Sequence, residues 1–203
     1  MTIRTFLETG RLRLGYFSET DATRLWELNR DPAVMRYING GIPLDYDPIK
    51  NETIPHYLAY YTKYEHYGLW PAIEKSSGEF IGWFLFLPAA ESTFAFKLNL
   101  AAPNEIEIGY RLKQSAWGKG YATEGAQAIV KKAFTEWGVE RIVAWALAAN
   151  TASRRVLEKT GLKFDRELPI PSHLIPQLPP EELTIVKYAL NQQDFSLSSS
   201  SQK

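Results

Sequence analysis

The stretch from Ile108 to Gly125, IGYRLKQSAWGKGYATEG, decides how the rest of the chain is read. Entering it, Asn104 to Leu112 (NEIEIGYRL) alternates apolar and polar residues, as a half-buried strand does. Leaving it, Ala122, Ala126, Ile129, Val130, Ala133, Phe134 and Trp137 recur at steps of three and four. That is the spacing of an amphipathic helix, and Gly138 supplies its stop. Between strand and helix lie Gly118, Lys119 and Gly120. The first N–H groups of a helix lack intrahelical partners and carry partial positive charge. Glycines on either side of a lysine remove the side chains that would keep an anion away, so the turn suits a pyrophosphate. It equally suits a plain turn whose glycines only supply positive φ. A Walker loop needs Ser or Thr where Gly120 stands, so it does not match. A dinucleotide fingerprint would end in Gly or Ala where this chain has Thr123, and it would come after more than half the sequence.

Outward from the turn, strands and helices alternate toward the C-terminus. RIVAWALA from Arg141 reads as an apolar strand, Asn150 starts a helix that Gly161 ends, and KFDREL and LTIVKYAL read as strands around the proline-rich PIPSHLIPQLPP. Toward the N-terminus, LWPAIE and FIGWFLFLP read as strands joined by KSSGE, and RLRLGYF from Arg11 as another. Ser18 or Thr20 caps a helix that Pro32 breaks, a short helical turn follows over AVMRYI, and Pro48 to Tyr67 predicts a longer helix kinked or divided at Pro55. TFAFKLNL predicts an extra strand or a protruding hairpin. The serine-rich end, 191–203, predicts a disordered tail after a single domain over 1–190. The pattern is α/β, a mixed sheet with helices on its faces.

The chain has 203 residues, 45% hydrophobic and 23% charged, with zero formal net charge and no cysteine. Zero net charge with scattered basic residues gives no reason to expect nucleic acid or an anionic membrane. Without cysteine there is no disulfide, no thiolate nucleophile and no cysteine metal site. His56, His66 and His173 have no ligand spacing, so no metal is expected. The N-terminus has no signal-peptide core, and the longest apolar run is far short of the ~20 residues that span a bilayer. A cytoplasmic protein, monomer or homodimer, is the expectation.

EIGYRLKQSAWGKGYATEGAQAIVKKAF, followed by AANTASRRVLEKTGLKF, resembles the acetyl-CoA site of the GNAT N-acetyltransferase superfamily. RLRLGYFSETDATRLWELNRDPAVMRYI resembles the opening of its RimJ/RimL-like branch. The resemblance runs in order from about Arg11 to Leu190. It implies the acyl-CoA N-acyltransferase fold, a splayed, mixed, seven-stranded sheet with helices on both faces. It also implies transfer of acetyl from acetyl-CoA directly to a primary amine, either a protein N-terminal α-amine or a small molecule. Trp117 stands where the wider superfamily has Gln or Arg, a substitution usual in this branch. On the same resemblance the amides of Gly118, Lys119, Gly120, Tyr121, Ala122 and Thr123 bind the pyrophosphate. Backbone groups of Tyr110 and Leu112 pair with pantetheine.

An amine must lose a proton before it attacks. For lysine, with pKa ~10.4, this costs roughly 4–5 kcal/mol at pH 7; for an α-amine near 7.8 it costs about 1 kcal/mol. Strand alternation puts Glu105, Glu107, Gly109 and Arg111 on one face. Glu107, nearest the diverging point that the resemblance implies, is the candidate base, with Glu105 the weaker one and a solvent-facing carboxylate the alternative. Asn150 fits a helix N-cap, and the resemblance adds a contact to the cofactor arm. Many superfamily members have an acid tyrosine where this chain has Leu157. Ser153, on the helix face of Val156 and Leu157, becomes the candidate to hydrogen-bond or protonate the thiolate; packing alone is its alternative. Arg154 and Arg155 read as exposed helix charges, with contact to CoA phosphates as the alternative. The tyrosine-rich DYDPIKNETIPHYLAYYTKYEHYGLW, with Asp45, Asp47, Glu52 and Glu65, reads as a half-buried helix face or an acceptor groove. A non-catalytic acyl-CoA-binding domain and a dinucleotide-binding protein are the competing functions.

Overall fold

Helix boundaries follow from caps that the sequence supplies. Asp31 accepts the Ala33 N–H at 2.9 Å, Pro32 takes the first helical position, and Gly40 closes the same helix at φ 83°. The computed structural model describes the backbone of residues 4–200 and the side chains of residues 4–196. In chain order its elements are β1 (Thr5–Glu8), β2 (Leu12–Gly15), α1 (Ala22–Asn29), α2 (Pro32–Asn39), α3 (Tyr46–Pro48), α4 (Ile54–Lys63), β3 (Gly68–Glu74) and β4 (Phe80–Pro88). There follow α5 (Thr93–Lys97), β5 (Glu105–Leu112), α6 (Tyr121–Thr135), β6 (Arg141–Leu147), α7 (Thr151–Lys159), β7 (Lys163–Pro169), β8 (Thr184–Asn191) and α8 (Gln192–Ser200).

The chain divides into two compact units. The first comprises the chain up to Phe86 together with Tyr110–Gly125. In it β1, β2, β3 and β4 form an antiparallel ladder, and the second half of β5 follows β4. Lys113 donates its N–H to the Ile81 carbonyl at 2.8 Å. Gly82 makes this close approach possible. A Cβ there would lie 2.1 Å from the Arg111 carbonyl oxygen, at a φ of +141° that L side chains rarely adopt. Leu12, Leu14, Leu25, Leu28, Trp70 and Phe84 are the fully buried centre of this unit.

The second unit comprises Leu87–Gly109 and the chain from Ala126 onward. Here the first half of β5 runs parallel to β6, with Glu105, Ile106 and Glu107 opposite Arg141, Ile142 and Val143. β6 pairs antiparallel with β8 over its whole length, and β7 lies antiparallel on the other side of β8. Ile129, Val130 and Ala133 of α6 are buried, as the three-and-four spacing requires.

The mixed α/β class is as expected, and the differences from the sequence reading are local. Among the described residues there are eight strands, not seven; the additional one is β1, a short edge strand with little periodicity of its own. TFAFKLNL forms no strand: Ser92 accepts the Ala95 N–H and caps the short helix α5. The long helix expected from Pro48, kinked or divided at Pro55, runs as α3, a π-helical segment over Ile49–Thr53 and α4 in direct succession, with Pro55 the second residue of α4. The expected tail disorder gives way to α8, whose Phe195 packs on Phe134 and whose Gln192 amide reaches the Phe134 carbonyl. Residues 201–203 of that tail lie outside the described residues. Among the described residues no helix is long and apolar enough to cross a membrane.

Candidate active site

In the first unit, a single turn of 3₁₀ helix over Gln114–Ala116 leads from β5 into the glycine turn. Gly118 and Gly120 have φ of 73° and 81°, left-handed values that a side chain would strain. The first bond of α6 joins the Glu124 N–H to the Gly120 carbonyl at 3.0 Å. The N–H groups of Tyr121, Ala122 and Thr123 therefore have no acceptor within the helix. A Cβ at Gly118 would meet nothing within 4 Å, so this side of the turn is open. These features fit a pyrophosphate.

The turn is braced by residues that the sequence did not single out. Glu124 accepts from the Arg11 backbone at 2.8 Å, from Arg11 Nε at 2.6 Å and from Thr9 Oγ1 at 2.6 Å. Arg11 Nη1 also donates to the Lys119 carbonyl at 2.8 Å, and its guanidinium lies 4.6 Å above the Tyr121 ring. Tyr121 donates its hydroxyl hydrogen to Glu74, which holds the Glu74 carboxyl below the usual range. Thr9 and Arg11 lie in the turn between β1 and β2, and Glu74 ends β3; all are far from the motif in sequence, so no local spacing could reveal them. Trp117, 47% exposed, donates its indole N–H to the Leu112 carbonyl at 2.9 Å. One backbone group assigned to pantetheine therefore already serves the turn.

The tyrosine-rich segment is mostly structural. Tyr60 is buried and bonds His56 Nε2 at 2.8 Å. Tyr61 accepts the Phe17 N–H at 3.1 Å and donates to the Leu69 carbonyl; burial raises its pKa. Asp45, Asp47, Glu52 and Glu65 are exposed.

In the second unit, the two candidate carboxylates of β5 have opposite surroundings. Glu105 accepts from Lys187 Nζ at 2.7 Å, Arg141 Nε at 3.0 Å and the Ala102 N–H at 2.9 Å. Burial works to raise its pKa, but these hydrogen bonds outweigh it and hold the carboxyl below the ordinary range. Glu105 is thus a structural anion, which removes it as the weaker candidate base. Glu107 is half-buried, and among the described residues no cation or hydrogen-bond donor pairs with it. Desolvation pushes its pKa up to about 8.

Asn150 caps α7, its Oδ1 accepting the Ser153 N–H at 3.1 Å. Ser153 is half-buried, and Leu157 is buried at 2% exposure. Arg154 is not a free surface charge. Its Nε donates to the Tyr188 hydroxyl at 3.0 Å and its Nη1 to the Ala148 carbonyl at 3.1 Å, while Tyr188 donates to Glu158. Arg155 is exposed. Among the described residues no group of three or more His, Cys, Asp or Glu is placed to hold a metal ion.

A family model described as an acetyltransferase (GNAT) domain matches residues 11–163. The chain belongs to the GNAT acetyltransferase family. This acetyltransferase is 32% identical over 167 residues to the FsC-acetyl coenzyme A-N(2)-transacetylase of Aspergillus fumigatus, a match covering 80% of this chain and 67% of the relative. It resembles a solved GNAT-family acetyltransferase from Bacillus anthracis with a TM-score of 0.67 at 25% identity, covering 95% of this chain and 99% of that one. The ribosomal L7/L12 α-N-protein acetyltransferase RimL, solved in complex with coenzyme A, shares the fold at a TM-score of 0.72 and 14% identity, over 93% of this chain and 98% of that one. This GNAT protein is an acetyl-CoA-dependent N-acetyltransferase.

Proposed function

We propose that the protein acetylates a primary amine directly from acetyl-CoA, as a RimJ/RimL-like enzyme whose catalytic domain spans residues 1–190. The observation that carries the reading is the open, glycine-flanked start of α6, with N–H groups that have no acceptor within the helix and its brace by Arg11 and Glu124. In this reading the amides of Gly118 to Thr123 hold the pyrophosphate, and Tyr110 and Leu112 align the pantetheine arm. When bound, acetyl-CoA supplies a thioester carbonyl and a thiolate leaving group.

Glu107 is the proposed base. With a pKa of about 8 it is near-matched to an α-ammonium of pKa about 7.8, so proton transfer between them is close to thermoneutral. The hydroxyl of Ser153, held on the first turn of α7 by the Asn150 cap, is proposed to hydrogen-bond or protonate the departing sulfur. Protein N-terminal amines and small-molecule amines both meet these requirements.

A thermal-shift series with acetyl-CoA, CoA, NAD and ATP, followed by thiol release on an amine panel, tests the reading. Acetyl-CoA and CoA at ~100 times Kd are expected to raise Tm by roughly 5–10 °C. A shift with NAD or ATP alone, or no shift, would remove its basis.

A further inference from the structure

The first unit contains a half-buried cation, its Nε fully enclosed, that the cofactor turn does not use. Arg111, between the two residues assigned to pantetheine, turns its guanidinium toward residues of α1, α2 and β4. Nη1 donates to Asn29 Oδ1 at 2.5 Å and approaches the Met35 sulfur at 3.7 Å, and the group lies 5.1 Å from the centre of the Trp83 ring. Asn29, Met35 and Trp83 are 2%, 1% and 7% exposed. Among the described residues, Arg111 Nε and the Trp83 indole N–H are both buried donors without an acceptor. Among the described residues no carboxylate pairs with Arg111. Its one ionisable neighbour is Tyr57, a phenol whose pKa burial raises and which therefore stays neutral. Tyr57 sits one turn after the π-helical segment Ile49–Thr53, an irregularity that is frequent at functional sites.

A charge drawn largely out of water with no counter-ion is costly, and so are buried donors with no acceptor. The chain retains both at one place. We propose that Arg111 and Trp83 anchor a carboxylate carried by the acetyl acceptor, which makes the acceptor a small, amino-acid-like amine. A single guanidinium flanked by neutral donors matches a monoanion, and its planar fork fits a carboxylate. The near-complete burial of the surrounding side chains selects a small ligand over a protein chain. Arg111 is then a specificity-determining residue for the reaction proposed above, on which this assignment rests.

The test compares free amino acids with their carboxamides as acceptors, by thiol release from acetyl-CoA. The amide has the less basic amine and so presents more neutral nucleophile at pH 7.5; a preference for the acid cannot come from amine reactivity. Wild type is expected to favour acids by about tenfold to a hundredfold in kcat/KM, the range of a charge-assisted hydrogen bond. Arg111→Gln should abolish the preference, mainly by raising KM for the acids, while the acetyl-CoA thermal shift persists. Trp83→Phe, which keeps the ring and removes the N–H, should lower the preference several-fold and stands in if Arg111→Gln does not fold. Equal use of amides, a preference that survives in both variants, or no acetylation of any acid while acetyl-CoA still binds would each overturn the anchor. A wild type that shows no acetyl-CoA shift would instead overturn the cofactor reading beneath it.

Discussion

Glu105 and Glu107 stand two residues apart on one face of β5, and the fold treats them in opposite ways. Glu105 is enclosed by Lys187, itself 2% exposed, and by Arg141, which also reaches Asp165 at 2.9 Å. Glu107 has desolvation without compensation. Both are acids on a strand that runs beside β6, yet one is held charged and the other is kept largely protonated at neutral pH. A carboxylate that has gathered partners is committed to structure. One left without partners keeps its proton chemistry available near pH 8.

The largest expected effect is on the paired side. Glu105→Ala leaves the Lys187 ammonium buried without its counter-ion, a loss of about 3–5 kcal/mol, so Tm should fall by roughly 6–20 °C. A calorimetric change below ~3 °C would mean that the network contributes little. On the unpaired side, Glu107→Gln should lower kcat/KM by about 10²–10⁴-fold with acetyl-CoA affinity kept, and should remove an inflection near pH 8 from the rate profile. Its stability effect has the opposite sign to that of Glu105. Between the unfolded value near 4.5 and the folded value near 8, the folded state binds the proton and the unfolded state does not. Stability is therefore lost as pH rises through that window, by up to about 1.4 kcal/mol per unit. Glu107→Gln should flatten that slope in denaturant melts at pH 5, 6.5 and 8. A variant with full activity and an unchanged slope would erase the contrast between the two acids.

The smallest effect concerns α7. Asn150→Ala removes the acceptor for the Ser153 N–H and should cost about 1 kcal/mol, or 2–4 °C in Tm. A fall in kcat well beyond that loss would indicate that the cap also positions Ser153 for chemistry.

What was legible in the sequence was local. The three-and-four spacing of Ala126, Ile129, Val130 and Ala133, the alternation through β5, the Asn150 cap and the Gly118–Gly120 turn each depend on residues within a few positions, where backbone geometry sets the outcome. β1, α5, the π-helical segment before α4 and α8 were not legible, because short segments take their conformation from what they pack against. The same division holds for the site. Strand alternation put Glu105, Glu107 and Arg111 on one face of β5, but only the tertiary structure decided their chemistry. Lys187 lies 82 residues from Glu105, and Asn29 lies 82 residues from Arg111. Charge in a protein interior is governed by partners and burial, and both are assembled by chain segments that meet only in the folded molecule.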